Sequence, residues 1–389
     1  MGSAYIISAV RTAGGRRNGR LSGWHPVDLA AEVLDEVVRR AGLDPALVED
    51  VVMGCVNQAA QQSANIARGA VLASGLPQSV PGTTLDRQCG SSQQALHMAA
   101  ATVISGNMDV VIAAGVESMS RVPMGLPERL GAEAGLGGAM SPRLLARFPD
   151  SFSQFVGAEM VASKHGLSRA ELDAYALESH LKAAAAANAG AFDAEILPID
   201  FEGPDGTAER HAVDEGIRFN TTLEGLQGLK TLSPDGVLTA GTASQICDGA
   251  SAVMVVNEAG LRASGVKPLA RLHQMTVTAG DPVIMLEEPL FATDRALQRS
   301  GLRIEDIDLY EVNEAFASVP LAWLRHTGAD PAKLNVNGGA IALGHPLGSS
   351  GTKLMTTMIH ALAARGGRYG LQTMCEGGGM ANVTIVERL

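Results

Sequence analysis

Two cysteines and a histidine stand beside glycines in three separate stretches of this 389-residue chain. They are Cys89 in "CGSSQQAL", His345 in "GHPLGSSG" and Cys375 in "CEGGGMA". A cysteine becomes a strong nucleophile when its proton is removed, and a nearby imidazole can accept that proton. If folding brings these stretches together, their residue types predict covalent catalysis through a cysteine.

Cys89 comes just before a predicted helix over residues 91–105. The first turn of a helix carries unpaired N–H groups and a partial positive charge, and both favour a thiolate over a thiol. We therefore expect the pKa of Cys89 to fall from about 8.5 into the range of roughly 3.5–7.5. The alternative is a small, buried and unreactive cysteine, and this stretch alone leaves both interpretations open.

His345 lies between Gly344 and Pro346, outside any predicted helix or strand. A neutral imidazole in this position could accept the proton of Cys89. Three other histidines fall within helical patterns and need no catalytic role: His97, His180 and His360.

Cys375 ends an apolar stretch and is followed by glycines that include Gly377. Glycines leave backbone N–H groups open to a ligand oxygen, so this loop is a candidate oxyanion hole, and the thiol beside it suits proton transfer. Asn313 and Glu314, in "EVNEAFA", follow another predicted strand. The amide could hold a water or a carbonyl and the carboxylate could orient a neighbour, while a helix N-cap is the alternative for both.

An internal repeat indicates how these residues are positioned. Gly42 and Gly301 each end a helical stretch before a short acidic turn and an apolar strand. Gly90 and Gly348 each precede two serines and a helix rich in Ala, Leu and Met. Both pairs are separated by nearly the same number of residues, so we predict two similar halves. The first half comprises residues 1–116 plus 250–266, and the second comprises 267–389.

Residues 117–249 are predicted to be an insertion in the first half. Ser168 and Glu171 form a capping box at the start of a helix that runs to Asn188. Residues 122–141 and 203–235 are polar or rich in glycine, and we expect an irregular segment and a loop. The insertion is interpreted as a substrate lid, with a purely decorative role as the alternative.

Strands alternate with helices throughout, which predicts an α/β fold with parallel sheets covered by helices. The strands "MDVVIAAG" and "SAVMVVN" are nearly continuous in apolar residues, as expected for strands buried on both faces. Two such halves form a layered structure, and the site is expected where the ends of their strands and helices meet.

Composition excludes several functional classes. The net charge of −11 argues against a nucleic-acid or anionic-membrane partner. No apolar run approaches about 18 residues, so no spanning helix is expected. The four cysteines contain no CxxC pair, which gives little support for a metal site or disulfides. With no signal peptide evident, the chain is predicted to be cytoplasmic.

Taken together, the motifs resemble those of the thiolase family, the acetyl-CoA acyltransferases, over essentially the whole chain. They are "CGSSQQAL", "NEAFA", "NGGAIALGHPLGSSG", "CEGGGMA" and "GTASQICDGASAV", in the order and spacing of that family. The resemblance implies a layered αβαβα fold, acyl-CoA substrates, coenzyme A as co-substrate and no permanently bound cofactor or metal. It also implies a homodimer or homotetramer, with residues 122–141 as a candidate contact.

The resemblance also implies a role for each motif residue. Cys89 is similar to the nucleophile that becomes acylated, and His345 to the histidine that activates it and contacts the thioester oxygen. Cys375 resembles the cysteine that exchanges a proton with the α-carbon of acetyl-CoA. The resemblance further implies that Asn313 holds an oxyanion-hole water and that the N–H groups of Cys89 and Gly377 form a second oxyanion hole. It also implies that Ser244 contacts the pantetheine arm and Arg218 the adenine of coenzyme A.

Two departures from frequent family motifs concern the substrate. "DRQ" precedes the nucleophile, and "QFVGAEMVA" differs from the form common in biosynthetic enzymes. We therefore expect a degradative thiolase for longer or unusual 3-ketoacyl chains, with a biosynthetic acetoacetyl-CoA thiolase as the alternative. More distant alternatives are a ketoacyl synthase, a non-catalytic acyl-CoA carrier and a thiol-based redox sensor.

Overall fold

Strands and helices alternate along the chain as the patterning predicts. The computed structural model describes residues 2–149, 152–203 and 205–389. Its strands are β1 (Tyr5–Thr12), β2 (Gly15–Arg16), β3 (Asp50–Gly54), β4 (Gly82–Leu85), β5 (Val110–Ser118), β6 (Ile196–Leu197), β7 (Ile199–Glu202), β8 (Ala208–His211), β9 (Cys247–Val256), β10 (Ala270–Ala279), β11 (Leu309–Val312), β12 (Tyr369–Glu376) and β13 (Met380–Arg388). Its α-helices are α1 (Pro26–Ala41), α2 (Ile66–Ala73), α3 (Ser91–Ile104), α4 (Leu126–Glu133), α5 (Pro142–Arg147), α6 (Gln154–Lys164), α7 (Arg169–Asn188), α8 (Leu223–Gln227), α9 (Glu258–Ser264), α10 (Glu288–Ser300), α11 (Ser318–Thr327), α12 (Ala340–Leu343) and α13 (Ser350–Arg365).

Both halves of the chain order their strands in the same way. In the first half β1, β9, β5 and β3 are successive neighbours, and β4 adds an edge strand beyond β3. In the second half β10, β13, β12 and β11 follow one another in the same manner. Each set has two antiparallel pairings followed by a parallel one. The expectation of parallel sheets was therefore wrong for β9 and β13, because continuous apolar runs indicate burial on both faces and do not fix strand direction. The two similar halves predicted from the sequence are therefore present in the fold.

The strands form two sheet layers, and helices pack on both sides of each, because strand side chains alternate between two faces. On β5, Ile112 and Ala114 pack in one cluster with α1 and α2. Val111 and Ala113 face the other way and pack with α3 and α13. In the second half, Ile385 of β13 packs with α10 and α11. Helices α3 and α13 therefore form the middle layer of an αβαβα arrangement, as expected.

We propose the same division into units, 1–116 plus 250–266, 117–249 and 267–389, on the basis of strand pairing. The chain leaves the sheet after Ser118, and β9 returns beside β5 with Asp248 opposite Ser118. The residues between them supply α4 to α8 and β6 to β8.

The insertion contains more regular structure than its composition indicates. Helix α7 begins at the predicted capping box, in which the Ser168 side chain accepts from the N–H of Glu171. The expectation of an irregular segment over 122–141 was wrong, since α4 lies within it. The expectation of a loop over 203–235 was also wrong, since β8 and α8 lie there. These elements are too short to show a hydrophobic period, and Thr222 caps α8 locally.

Among the described helices, none is both long enough and apolar enough to cross a bilayer.

The N-terminal ends of α3 and α13 meet in the middle layer at van der Waals distance. The N–H of Thr352 donates to the Ser92 hydroxyl at 3.0 Å. A Cβ atom on Gly351 would lie 2.0 Å from the backbone nitrogen of Gln93. One on Gly115 would lie 2.3 Å from the carbonyl oxygen of Gly348. Glycine at these positions allows the backbones that carry the candidate site residues to touch.

Replacing Gly351 by alanine tests this close contact. We expect Gly351→Ala to lower the free energy of unfolding by about 1–3 kcal/mol or more, because the added methyl meets backbone that cannot rotate away. Urea unfolding followed by circular dichroism gives the midpoint and slope. The matched control is Gly23→Ala, where a Cβ would meet no atom within 4 Å. Equal midpoints for both variants would show that the helices are less tightly packed.

Candidate active site

Cys89 lies on a tight turn between β4 and α3. Gln88 has a φ of 51°, a left-handed conformation that costs a non-glycine residue energy. The Ser91 hydroxyl holds this turn, because it accepts from the N–H of Arg87 at 2.9 Å and donates to the carbonyl of Gln88 at 2.6 Å. A strained turn from strand to helix exposes the residue at its apex. Cys89 is accordingly partly exposed, whereas the other three cysteines are buried.

The loop that contains Gly377 lies against this turn. A Cβ atom on Gly377 would lie 2.8 Å from the Gln88 Oε1. Gly378 and Gly379 have φ values of 83° and 76°, which a side chain would disfavour, and they make the turn from β12 to β13. The two residues after Cys375 contact the two residues that flank Cys89, because a Cβ atom on Gly90 would also lie 1.8 Å from the Glu376 Oε1. The structure therefore brings the two predicted cysteines together from opposite halves.

Asn313 and His345 form the other side of the site. The N–H of Asn313 donates to the carbonyl of Thr373 on β12, two residues before Cys375, at 3.0 Å. The Asn313 Nδ2 lies 3.4 Å from His345 Nε2. The Asn313 Oδ1 is buried without a hydrogen-bond partner among the described residues. An unpartnered buried amide oxygen at this position could accept a hydrogen bond from a bound water or ligand.

The expected lowering of the Cys89 pKa is wrong for this structure. Although part of Cys89 is exposed, its protein surroundings desolvate the thiol and raise its pKa to about 12. The nearby Glu376 carboxylate raises this pKa further than the backbone N–H contact lowers it. Burial also raises the pKa of Cys375 well above its usual range, and this pKa rises further whenever Cys89 or Glu376 is ionised. The helix end favours an anion, but desolvation is the larger effect. Both cysteines are therefore protonated in the resting protein at neutral pH.

His345 is held as a neutral imidazole. Burial lowers its pKa to about 3, and the positive charge of Lys353 contributes. Its Nδ1 lies 2.5 Å from the Ser350 hydroxyl, which itself donates to the carbonyl of Pro346 at 2.8 Å. That hydroxyl gives its single hydrogen to the Pro346 carbonyl, so it can only accept a hydrogen bond from Nδ1. Nδ1 is therefore assigned as the protonated nitrogen, and Asn313 Nδ2 donates to Nε2. In this tautomer, Nε2 carries the lone pair that can accept a proton.

Lys353, which the sequence analysis did not single out, supports the His345 loop. Its buried ammonium group donates to the carbonyls of Leu343 at 2.5 Å and Gly344 at 3.1 Å, directly before His345. Asp214 of the insertion lies 3.9 Å from it and also binds Arg11 at 2.8 Å. The sequence did carry a signal, because Lys353 is the one Lys, Arg, Asp or Glu in the stretch "TKLMTTMIHAL".

Two buried carboxylates also organise the surrounding loops. Glu314 was expected to orient a neighbour, and it accepts from the Tyr175 hydroxyl at 2.9 Å, the Ser179 hydroxyl at 2.7 Å and the N–H of Ile341 at 3.0 Å. Glu117 was not singled out, although it directly follows "VVIAAGV" at the end of a strand. It accepts from the N–H of Gly348 at 2.9 Å and so fixes the segment after His345. Neither carboxylate bonds a catalytic side chain directly.

Ser244 and Arg218 lie on neighbouring loops beside the site. The N–H of Ser244 donates to the carbonyl of Ala315 at 2.9 Å, next to the Asn313 loop. The adjacent Gln245 side chain donates to the carbonyl of Gly216 at 2.8 Å, two residues before Arg218. Arg218 is exposed, and its guanidinium has no carboxylate within ion-pair distance in the described part of the chain.

Within the described residues, no group of three or more His, Cys, Asp or Glu side chains is arranged to hold a metal ion.

Comparison with known proteins gives a consistent result over the whole chain. Residues 4–259 match the thiolase N-terminal domain and residues 266–388 match the thiolase C-terminal domain. The steroid 3-ketoacyl-CoA thiolase FadA6 of Mycobacterium tuberculosis is 51% identical, covering 100% of this chain and 95% of that protein. The beta-ketoadipyl-CoA thiolase of Escherichia coli is 42% identical, with 100% of both chains covered.

A solved structure is also similar. The human mitochondrial 3-ketoacyl-CoA thiolase superposes with a TM-score of 0.90 at 37% identity, covering 100% of this chain and 99% of that one. The shared sequence, the two matched domains and the layered fold lead to one conclusion. This chain belongs to the thiolase family and is an acyltransferase.

Proposed function

We propose that this thiolase cleaves 3-ketoacyl-CoA with coenzyme A, yielding acetyl-CoA and a shortened acyl-CoA, through an acyl group carried on Cys89. The main support is the contact between the turn that carries Cys89 and the glycine loop that follows Cys375, where Gln88 meets Gly377 and Gly90 meets Glu376. One thiol can act as nucleophile and the other as proton donor. The relatives named as 3-ketoacyl-CoA thiolases support the degradative direction.

In the first step, His345 Nε2 accepts the Cys89 proton while the sulfur attacks the ketone carbon of the substrate. The charge separation costs energy in a buried site, so it becomes favourable only when a substrate oxygen takes up the developing negative charge. We propose that the N–H groups of Cys89 and Gly377 donate to that oxygen, which the contact between their loops supports. The neutral resting state of both residues is consistent with proton transfer during attack rather than before it.

In the second step, the carbon–carbon bond breaks and acetyl-CoA leaves as an enolate. Asn313, through a bound water, and His345 stabilise the thioester oxygen, and the Cys375 thiol protonates the carbon. Cys375 is then a thiolate and removes the proton of incoming coenzyme A. The coenzyme A sulfur attacks the acyl group, and Cys89 recovers its proton from His345, which restores the starting state.

Trapping the acyl group tests this proposal. Rapid acid quenching during turnover, followed by digestion and mass spectrometry, should locate an acyl adduct on Cys89. Cys89→Ala should carry no adduct and should lose on the order of 10⁴–10⁶ in kcat, because nothing replaces the nucleophile.

The matched control is Cys247→Ala, which removes a buried thiol packed beside Gly344 and should retain turnover and the Cys89 adduct. An adduct found reproducibly on another residue, or turnover without any adduct, would contradict the proposed mechanism.

The Ser350 contact predicts a second effect. Without the hydroxyl, His345 Nδ1–H loses its acceptor and the ring can rotate or change tautomer. We expect Ser350→Ala to lower kcat by roughly 10–100-fold with little change in KM, less than the loss of a general base would cost. Steady-state thiolysis assays measure both constants.

Ser349→Ala is the control for that variant, because its hydroxyl bonds Ser251 at 2.8 Å and not the histidine. If both serine variants lose activity equally, the effect is one of packing and not of histidine orientation.

We further propose that the acyl group is bulky, in line with the steroid 3-ketoacyl-CoA thiolase that is 51% identical. Phe155 on α6 remains 46% exposed, although it packs edge-on against Phe316 of the Asn313 loop with ring centroids 5.6 Å apart. A large exposed aromatic ring beside the proposed site suits an apolar acyl group. This ring is the proposed wall of the acyl pocket and supports the interpretation of the insertion as a substrate lid.

Removing the Phe155 ring should therefore affect substrates selectively. We expect Phe155→Ala to lower kcat/KM roughly tenfold for a ring-containing or long 3-ketoacyl-CoA. The bound acyl group would cover the exposed part of the ring, about half of the Phe side chain, and the variant loses that burial. Acetoacetyl-CoA cleavage should change little. Phe291→Ala is the control, because Phe291 is also 46% exposed but lies on α10 against His326. A parent enzyme that cleaves only acetoacetyl-CoA would contradict the proposed substrate class.

Coenzyme A is proposed as a co-substrate that Ser244 and Arg218 contact, at the pantetheine arm and the adenine respectively. The support is their placement on loops joined through Gln245 and Gly216. A homodimer or homotetramer is proposed as well. β4 is an unpaired edge of the sheet, and Leu130 and Leu136 in segment 122–141 expose apolar side chains that a second subunit could cover.

A further inference from the structure

Glu376 is a buried carboxyl group beside the nucleophile that the mechanism above does not use. It follows Cys375 at the end of β12 and has no exposed surface. A Cβ atom built on Gly90 would lie 1.8 Å from Glu376 Oε1. The carboxyl group therefore occupies the space that any side chain at position 90 would need. It touches the backbone between Cys89 and the first turn of α3.

The hydrogen bonds of Glu376 are incomplete. With the Asn382 amide oriented so that its oxygen accepts from the N–H of Gln94, its Nδ2 donates to Glu376 Oε1 at 3.1 Å. Glu376 Oε2 is buried and has no partner among the described residues. A fully ionised carboxylate in such a place would lack compensation for its lost hydration.

Four titratable or charged groups either change the pKa of Glu376 or have their own pKa changed by its charge. Asp86 and Arg87 belong to the turn that precedes Cys89, Cys89 itself stands at the start of α3, and Cys375 is the neighbour on β12. The facing residues of β13 and α3, Asn382 and Gln94, do not titrate. Burial raises the pKa of Glu376 to about 8, although Arg87 opposes the rise. A negative charge on Glu376 in turn raises the pKa of both thiols.

We propose that Glu376 is a positioning residue whose buried carboxyl group, held against the backbone between Cys89 and α3, controls how readily Cys89 and Cys375 ionise. The inference rests on the proposed roles of these two cysteines. While Glu376 is protonated, removing the Cys89 proton creates only one charge in the site. Once Glu376 has ionised, the same event places a second negative charge beside the first. Groups coupled in this way have apparent pKa values that describe the set of interacting groups and not any single residue.

The pH dependence of Cys89 alkylation tests this inference without any need for acyl transfer. Iodoacetamide labelling of Cys89, read by peptide mass spectrometry, should rise with pH in the parent enzyme and show a shoulder near pH 8. In Glu376→Gln the shoulder should disappear. The two profiles should coincide below about pH 7 and diverge above it, with roughly tenfold faster labelling of the Gln variant at about pH 9, because a like charge at short range raises a pKa by about one unit.

Glu376→Asp is the matched variant, since it keeps the charge and alters the packing, and its shoulder should persist. A parent profile without a shoulder overturns the inference even if neither variant folds. Coincident parent and Gln profiles above about pH 8 overturn it as well, as does an Asp variant that behaves like the Gln variant. Failure to trap an acyl group on Cys89 would instead refute the proposed function, so the two failures are distinguishable.

Discussion

The close contact between the first turns of α3 and α13 in the middle layer is the constraint on which the site depends. Each helix begins at a loop that carries a proposed catalytic residue, Cys89 in one half and His345 in the other. The backbones approach so closely that Gly351 has no room for a methyl group beside Gln93. Because each helix is packed between sheets, the loops at their N-terminal ends have little freedom to separate. The repeat thus places the N-terminal turns of two equivalent helices side by side, so that the loops before them form one shared site.

Burial gives that site its chemical character. Desolvation raises the pKa of Cys89 and Cys375 and lowers that of His345, so the resting groups are neutral. A preformed thiolate–imidazolium pair would be reactive towards any electrophile or oxidant. A neutral pair becomes charged only when substrate oxygens and backbone donors share the charge. Selectivity for a bound thioester then follows from the cost of forming charge in an apolar environment.

The insertion supports the site through buried polar contacts. Tyr175 and Ser179 of α7 donate to Glu314, and Asp214 lies beside Lys353, which anchors the carbonyls before His345. The same segment places Phe155 next to the Asn313 loop. A change of substrate preference through this segment is therefore constrained by residues that hold the reacting groups in position.

The sequence by itself determined the α/β class, the repeat and the four motifs that bear chemistry, because helix and strand periodicity and glycine placement are local properties. The boundaries of α7 were also predictable, since its capping box lies within four residues. Short elements such as α4 and β8 were not, because they carry too few residues for a period to emerge. Only the tertiary structure decided the direction of the Cys89 pKa shift and the buried placement of Lys353, Glu117 and Glu376. Those depend on burial and on charges contributed by distant parts of the chain, which no local pattern encodes.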